Sequence, residues 1–175
     1  DFTEGTAGAW NFFSIGCKGG YKGANKQNEC DQRSLLFTTI DKTPLIASKP
    51  YFVFHDDQYQ LRVPDFIKDR SGANDLVSTG RLLKKFTIVT PTNTEAELNA
   101  LMDTGVSLVF PPAIYEFEET LIVSKDNTII IGLGYATIKS TNGKSCIEVK
   151  DNLEGVRISS FMFEAGNVLT PTLLK

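Results

Sequence analysis

The residues best equipped for chemistry are four carboxylates near the end of the chain, Glu148, Asp151, Glu154 and Glu164. Two acids facing one another from neighbouring strands can divide general acid–base work, one donating a proton while the other acts as base or nucleophile. Asp151 falls in the turn before "EGVRI" and Glu164 at the strand end of "FMFEAG". A solvated turn accounts for each of the four more simply. Glu116, Glu118 and Glu119 in "YEFEET" alternate in part with Tyr115 and Phe117, the pattern of an exposed strand face.

His55 is the only histidine, flanked by Asp56 and Asp57. A hairpin turn is a poor place for a nucleophilic triad, and "HDD" is too unspecific to define a metal site. "GLGYAT" has a glycine pair after a strand but neither the third glycine nor the helix of a dinucleotide fingerprint, so tight turns account for it. Cys17 and Cys30 bracket "CKGGYKGANKQNEC", a loop with little to bury. A Cys17–Cys30 disulfide is expected there, and with it an oxidising compartment; the rival two-cysteine zinc half-site lacks a nearby histidine. Cys146 in "SCIEV" is expected to be a buried free thiol. No metal or cofactor is implied.

The elements that must position these groups belong to a chain of 175 residues with 41% hydrophobic and 22% charged residues, which suits one domain with a packed core. A net charge of -3, with both signs mixed along the chain, gives no footprint for nucleic acid or an anionic membrane. No run of residues is long and apolar enough for a membrane helix. The first twenty residues lack the basic and apolar regions of an export signal, and "DFTEGTAGAW" reads as the start of a processed or excised piece.

Residues 1–48 read as a loop-rich segment, with "AWNFFSI" packing on something apolar. Residues 49–91 hold a hairpin in "KPYFVFHDDQYQLRVP" with its turn at "HDDQ", a surface loop in "DRSGANDLVSTGR", and a strand in "KKFTIV". Residues 92–175 open with the one convincing helix, "TPTNTEAELNALMDTG". Thr92 and Glu95 match a capping box, and Gly105 supplies the stop. The three parts are expected to form one continuous domain, incomplete at both ends.

Beyond Gly105 come short strand-like runs at 106–110, 120–123, 128–131, 137–138, 146–149, 156–158 and 161–163. Leu121 and Ile147 mark corresponding positions one repeat of roughly 26 residues apart, as do Ile129 and Val156. Strands spaced so closely leave no room for crossover helices, so a parallel sheet here must be made by coiling. The expected fold is all-β, a right-handed parallel β-helix whose open end is covered by the short helix. An antiparallel sandwich is the alternative.

"TEAELNALMDTGVSLVFPPAIYEFEETLIV" resembles the opening coil of the pectate-lyase-like superfamily, in which a short helix precedes a strand–turn–strand of the form "LxFPPGxY". Ala113 stands where those proteins usually carry glycine. "GAWNFFSIGCKG", "KPYFVFHDDQYQLRVP" and "DNLEGVRISSFMFEAG" extend the similarity, in order, to a group of secreted β-helix proteins from actinobacteria, fungi and amoebae. That group is often labelled adenylyl cyclase or coagulation-factor-5/8 type, and is distantly similar to glycoside hydrolases acting on α-1,3-glucan. Its members are several hundred residues long, which makes this chain resemble a middle portion whose neighbouring coils lie elsewhere in the parent or on another chain.

The resemblance implies an extracellular, carbohydrate-active protein that hydrolyses a cell-wall or other extracellular polysaccharide. Glu164 stands where the similar proteins tend to carry aspartate, and Glu164 with Asp151 are the catalytic candidates. Trp10, Tyr21 and Tyr51 are among the aromatics that could stack on sugars, Trp10 and Tyr21 being the binding candidates, with Phe12 and Phe13 more simply read as packing. Arg157 and Lys150 could serve a pectate-type lyase, but the aspartate cluster that holds its calcium is missing. A non-catalytic carbohydrate-binding module and a structural β-helix of a wall, filament or surface layer are the rival readings.

Overall fold

The computed structural model describes residues 12–17, 37–72 and 79–175. In chain order its elements are β1 (Phe12–Ile15), β2 (Phe37–Ile40), β3 (Thr43–Ile46), β4 (Tyr51–His55), β5 (Gln58–Pro64), β6 (Ile67–Arg70), β7 (Gly80–Leu83), β8 (Phe86–Ile88), α1 (Glu95–Asp103), β9 (Ser107–Phe110), β10 (Ala113–Phe117), β11 (Leu121–Val123), β12 (Ile129–Ser140), β13 (Ile147–Val149) and β14 (Arg157–Ala165). The chain divides into two compact units, 1–48 with 64–81 and 49–63 with 82–175.

In the first unit β1 and β2 pair in parallel, and β3 and β6 pair antiparallel. The stretch expected to be loop-rich therefore carries three strands. The Cys17–Cys30 disulfide is not shown: Cys17 carries a free thiol that donates to the Ile15 carbonyl at 3.7 Å, and Cys30 lies outside the described residues.

The second unit is built on a curled parallel sheet. Ile130 of β12 lies opposite Leu108 of β9 and Ile158 of β14, while Ile138, past a corner in the same strand, lies opposite Tyr115 of β10 and Phe163 of β14. A separate parallel ladder sets Leu121 of β11 against Ile147 of β13, which in turn bridges to Leu174. Every ladder in this curled sheet is parallel, so the antiparallel sandwich is set aside. Columns of like residues follow from the register. Leu108, Ile130, Tyr115, Ile138, Leu121 and Ile147 all point into one core with Phe110 and Phe117.

β9 and the first half of β12 are buried on both sides. Val109, Ile129 and Ile131 turn away from that core and pack under Leu61 and Val63 of β5, with Phe52 of β4 beside them. Being covered on both faces makes "SLVF" and "TIII" continuous apolar runs rather than alternating ones. The covering hairpin has the expected turn: Asp56 and Asp57 form a two-residue loop with φ of 51 and 56°, the left-handed geometry that suits the twist of hairpin strands.

Helix α1 starts two residues later than expected. Its N-cap is Thr94, whose hydroxyl accepts from the Glu97 amide while Glu97 accepts from the Thr94 amide. Thr92 lies in a preceding turn closed by a hydrogen bond from the Asn93 amide to the Thr90 carbonyl. Glu95 is thereby free to accept from the amides of Glu118 and Glu119, at 2.6 and 3.1 Å. Gly105, at φ 83°, ends the helix as expected.

The helix covers an edge, as the sequence suggests, and does so with side chains standing in for a strand. Asn99 accepts from the Ile122 amide at 2.8 Å and donates to the Thr120 carbonyl at 3.1 Å, satisfying the outer edge of β11. Leu98 and Met102 are buried in the core beneath it. Ser124 adds a hydrogen bond to Asp103 at 2.6 Å.

Candidate functional site

Side chains on β10, the second half of β12, and β14 alternate between the core and the outer face. Tyr115, Ile138 and Phe163 point inward, which sends their neighbours Glu116, Lys139 and Glu164 outward in one row across three strands. Lys139 Nζ lies 2.9 Å from Glu116 Oε1. Its pKa is held above the ordinary lysine value, first by that hydrogen bond, then by the Glu116 charge and the charge of Glu164 on the other side, so the ammonium stays charged. One step along the strands, Ile114, Thr137 and Met162 form a second row, with Ile114 and Met162 exposed.

Beside these rows runs an open groove of about 540 Å³ lined by Pro91, Ile114, Glu116, Glu118 and Thr141. Its walls combine apolar surface with carboxylate acceptors. Thr141 is fixed by donating from both its amide and its hydroxyl to the Phe117 carbonyl, and Glu118 is fixed through its amide to Glu95. Between Ile114 and Glu116, Tyr115 points the other way and is fully enclosed. Its hydroxyl donates to the Pro111 carbonyl at 2.8 Å, its ring meets Phe110 edge-on, and burial raises the pKa of its phenol.

The remaining acids named from the sequence are placed apart from this face. Asp151 is exposed in the turn that follows β13, past the end of the β11–β13 ladder, whereas Glu164 lies on the ladder of β12 and β14. Glu148, half-buried on β13, is bound by Lys150 at 2.7 Å and approached by Lys175 at 3.7 Å. The Lys150 hydrogen bond and charge, with the charge of Lys175, lower its pKa. Glu154 is exposed in a turn that stitches to the preceding one: its amide donates to Asp126, and its carbonyl accepts from the Asn127 amide. Glu119 pairs with Lys144.

Arg157, at the start of β14, is buried, and Lys150 is engaged with Glu148, so neither is presented as a free base on the groove face. His55 stands exposed at the hairpin tip, 3.5 Å from Asp56. Cys146 is a buried free thiol, its pKa pushed up by burial to about 11, in keeping with the sequence. Tyr51 is exposed on the hairpin, whereas Trp10 and Tyr21 lie outside the described residues.

Lys139, Ile114 and Thr141 did not emerge from the sequence as site residues. Nothing local marks them. The signal that finds Lys139 is the parallel register, which sets it opposite both Glu116 and Glu164 once the ladders are aligned.

A curled parallel sheet carrying this face defines a pectate-lyase-like architecture, and residues 86–175 match the LAM55 pectate lyase-like domain. The chain belongs to that family, which is related to glycoside hydrolases. Among its relatives is a protein of Streptomyces sp. (strain SirexAA-E / ActE) named exo-β-1,3-glucanase. It is 32% identical over an alignment of 143 residues that covers 79% of this chain and 24% of that protein. The solved structure of sacteLam55A from Streptomyces sp. SirexAA-E superposes with a TM-score of 0.76 at 30% identity, covering 94% of this chain and 29% of that one. A variant of sacteLam55A in complex with glucose gives a TM-score of 0.73 at 28% identity over the same shares. The chain thus spans less than a third of the length of these relatives. The first of them is named for β-1,3 linkages, where the sequence resemblance implied α-1,3.

Proposed function

We propose that the chain is a glucan-binding portion of a secreted, glycoside hydrolase-like protein, that its curled sheet is a right-handed parallel β-helix, and that a β-1,3-glucan lies along the groove beside Glu116. The observation that carries this reading is the groove itself, where apolar side chains and carboxylates share one outer face of a sheet whose family includes an exo-β-1,3-glucanase. Sugars offer that combination its complement: C–H faces for Ile114 and Pro91, hydroxyl donors for Glu116 and Glu118. The helical winding is supported by parallel ladders that recur along the chain on separate stretches of each coil.

For hydrolysis, the register favours Glu116 over Asp151 as the partner of Glu164. Two strand spacings put their Cα atoms roughly 9–10 Å apart on one outer face, and inverting glycosidases likewise hold two separated carboxyl groups on either side of the scissile bond. Lys139 fills that gap and is ion-paired with Glu116, which favours the second reading, a non-catalytic binding face.

One experiment addresses both. The purified chain is titrated calorimetrically with a β-1,3-linked glucose oligomer, and reducing ends are followed over time for wild type, E116Q and E164Q. Binding with hydrolysis that both substitutions abolish supports the hydrolase reading. Binding without hydrolysis supports the binding face. No binding overturns the proposal. An extracellular location is checked by finding the parent protein in culture medium, and its confinement to the cells would remove that part of the reading.

A further inference from the structure

Tyr135 is the most exposed aromatic side chain among the described residues, 83% accessible, and it sits on backbone of φ 51°, a left-handed geometry unfavourable for a bulky residue. It belongs to a corner that is longer than its counterpart in the next coil. Between Ile131 and Ala136 of β12 lie four residues, and between their partners Ser159 and Phe161 of β14 lies only Ser160. Gly132 anchors the base of this corner, since a Cβ there would collide with the Ser160 carbonyl. The surplus chain, Leu133 to Tyr135, stands out from the coil, with Leu133 also exposed.

Nothing in the packing needs the ring there, and the backbone is unfavourable for it. Ser160, at the matching corner of β14, also has a positive φ of 65°, so the corner accounts for the backbone, and what the packing leaves unexplained is a bulky aromatic ring facing solvent there. The corner leads directly into the outer face already described. Ala136 follows Tyr135, then Thr137 between Ile114 and Met162, then Lys139 between Glu116 and Glu164. From Thr137 to Lys139 is about 7 Å along the strand, the scale of a single sugar ring. The order is aromatic ring, a row whose exposed members Ile114 and Met162 are apolar, then the charged row, and the groove opens beside Ile114 and Glu116.

Resting on the glucan-binding reading above, we infer that Tyr135 is the stacking platform for a pyranose ring at the head of this face. Ile114 and Met162, on either side of the buried Thr137, form its apolar floor, and the Glu116–Lys139–Glu164 row takes up the sugar hydroxyls. Aromatic faces suit the C–H side of a pyranose, while carboxylate and ammonium groups accept and donate to its rim.

The test uses Tyr135→Gly, which removes the ring and relieves the backbone, with Tyr135→Trp as the conservative variant. Each is titrated with a β-1,3-linked glucose oligomer, and its thermal midpoint is measured without ligand. Expected are an affinity for Y135G weakened roughly tenfold, an affinity for Y135W close to that of wild type, and a midpoint for Y135G equal to or above wild type, because glycine adopts positive φ without strain. A structural role would lower the midpoint of Y135G and leave Y135W impaired, and that result overturns the inference. So does Y135G binding as tightly as a wild type that binds. A wild type that binds no glucan overturns the reading beneath it as well, so the two failures are distinguishable.

Discussion

Replacing Asn99 with alanine separates two effects of opposite sign. Alanine is the better helix former, by about 0.5 kcal/mol at an interior position, so propensity alone predicts a more stable protein. The structure predicts the reverse. Asn99 makes two hydrogen bonds to the main chain of the β11 edge, at 2.8 and 3.1 Å. At a net ~0.5–1.5 kcal/mol each they contribute ~1–3 kcal/mol. Ile122 is exposed and Thr120 half-buried, so water can take over part of this, which puts the loss in the lower half of that range. Subtracting the propensity gain leaves N99A destabilised by about 1 kcal/mol, or roughly 2–4 °C in thermal midpoint for a chain of this size. Urea unfolding followed by circular dichroism measures the total, and hydrogen exchange at the Ile122 amide locates it. An N99A protein as stable as wild type, with unchanged exchange at Ile122, would refute the idea that α1 acts as a surrogate strand.

Two further expectations follow from titratable groups. Glu148 has its pKa lowered from an ordinary 4.5 by Lys150 and Lys175. Its ionised form therefore favours the folded state, a contribution present above that value and lost as pH falls through the lowered one. Wild type should lose urea resistance more steeply than E148Q below pH 4.5, and parallel curves would show the ion pairs contribute nothing. Cys146, with its thiol pushed up to about 11 and buried, should resist iodoacetamide in the native protein and react in urea, read residue by residue by mass spectrometry. Equal labelling in both states would contradict its burial.

Where the sequence reading slips, the slips share a cause. Leu121 and Ile147 face each other as their spacing suggests, but Ile129 meets Arg157, one residue beyond Val156. Leu121 and Val123 are buried with exposed Ile122 between them, so alternation carries the register. Ile129, Ile130 and Ile131 are all buried, because the hairpin covers the side that the core does not, and alternation vanishes. The helix start slips for a related reason. Both Thr92 with Glu95 and Thr94 with Glu97 fit a capping box, and local pattern cannot rank them. The amides of Glu118 and Glu119, which recruit Glu95 from across the fold, agree with the Thr94 cap.

What the sequence determined by itself is local and repetitive: short apolar runs too close for crossover helices, a two-residue hairpin turn, a helix stop at Gly105, and a cysteine in an apolar run. These depend on backbone preferences and on burial of neighbours in the chain, and both are written in adjacent residues. Tertiary structure alone decided which acids share a face. Glu116, Lys139 and Glu164 come from three neighbouring parallel strands, and only the ladder register aligns them. Their proximity rests on main-chain hydrogen bonds between strands, which are blind to the outward side chains they bring together. The same holds for Tyr135, which lies where β12 is longer than the paired stretch of β14, a difference visible only when the two strands are aligned.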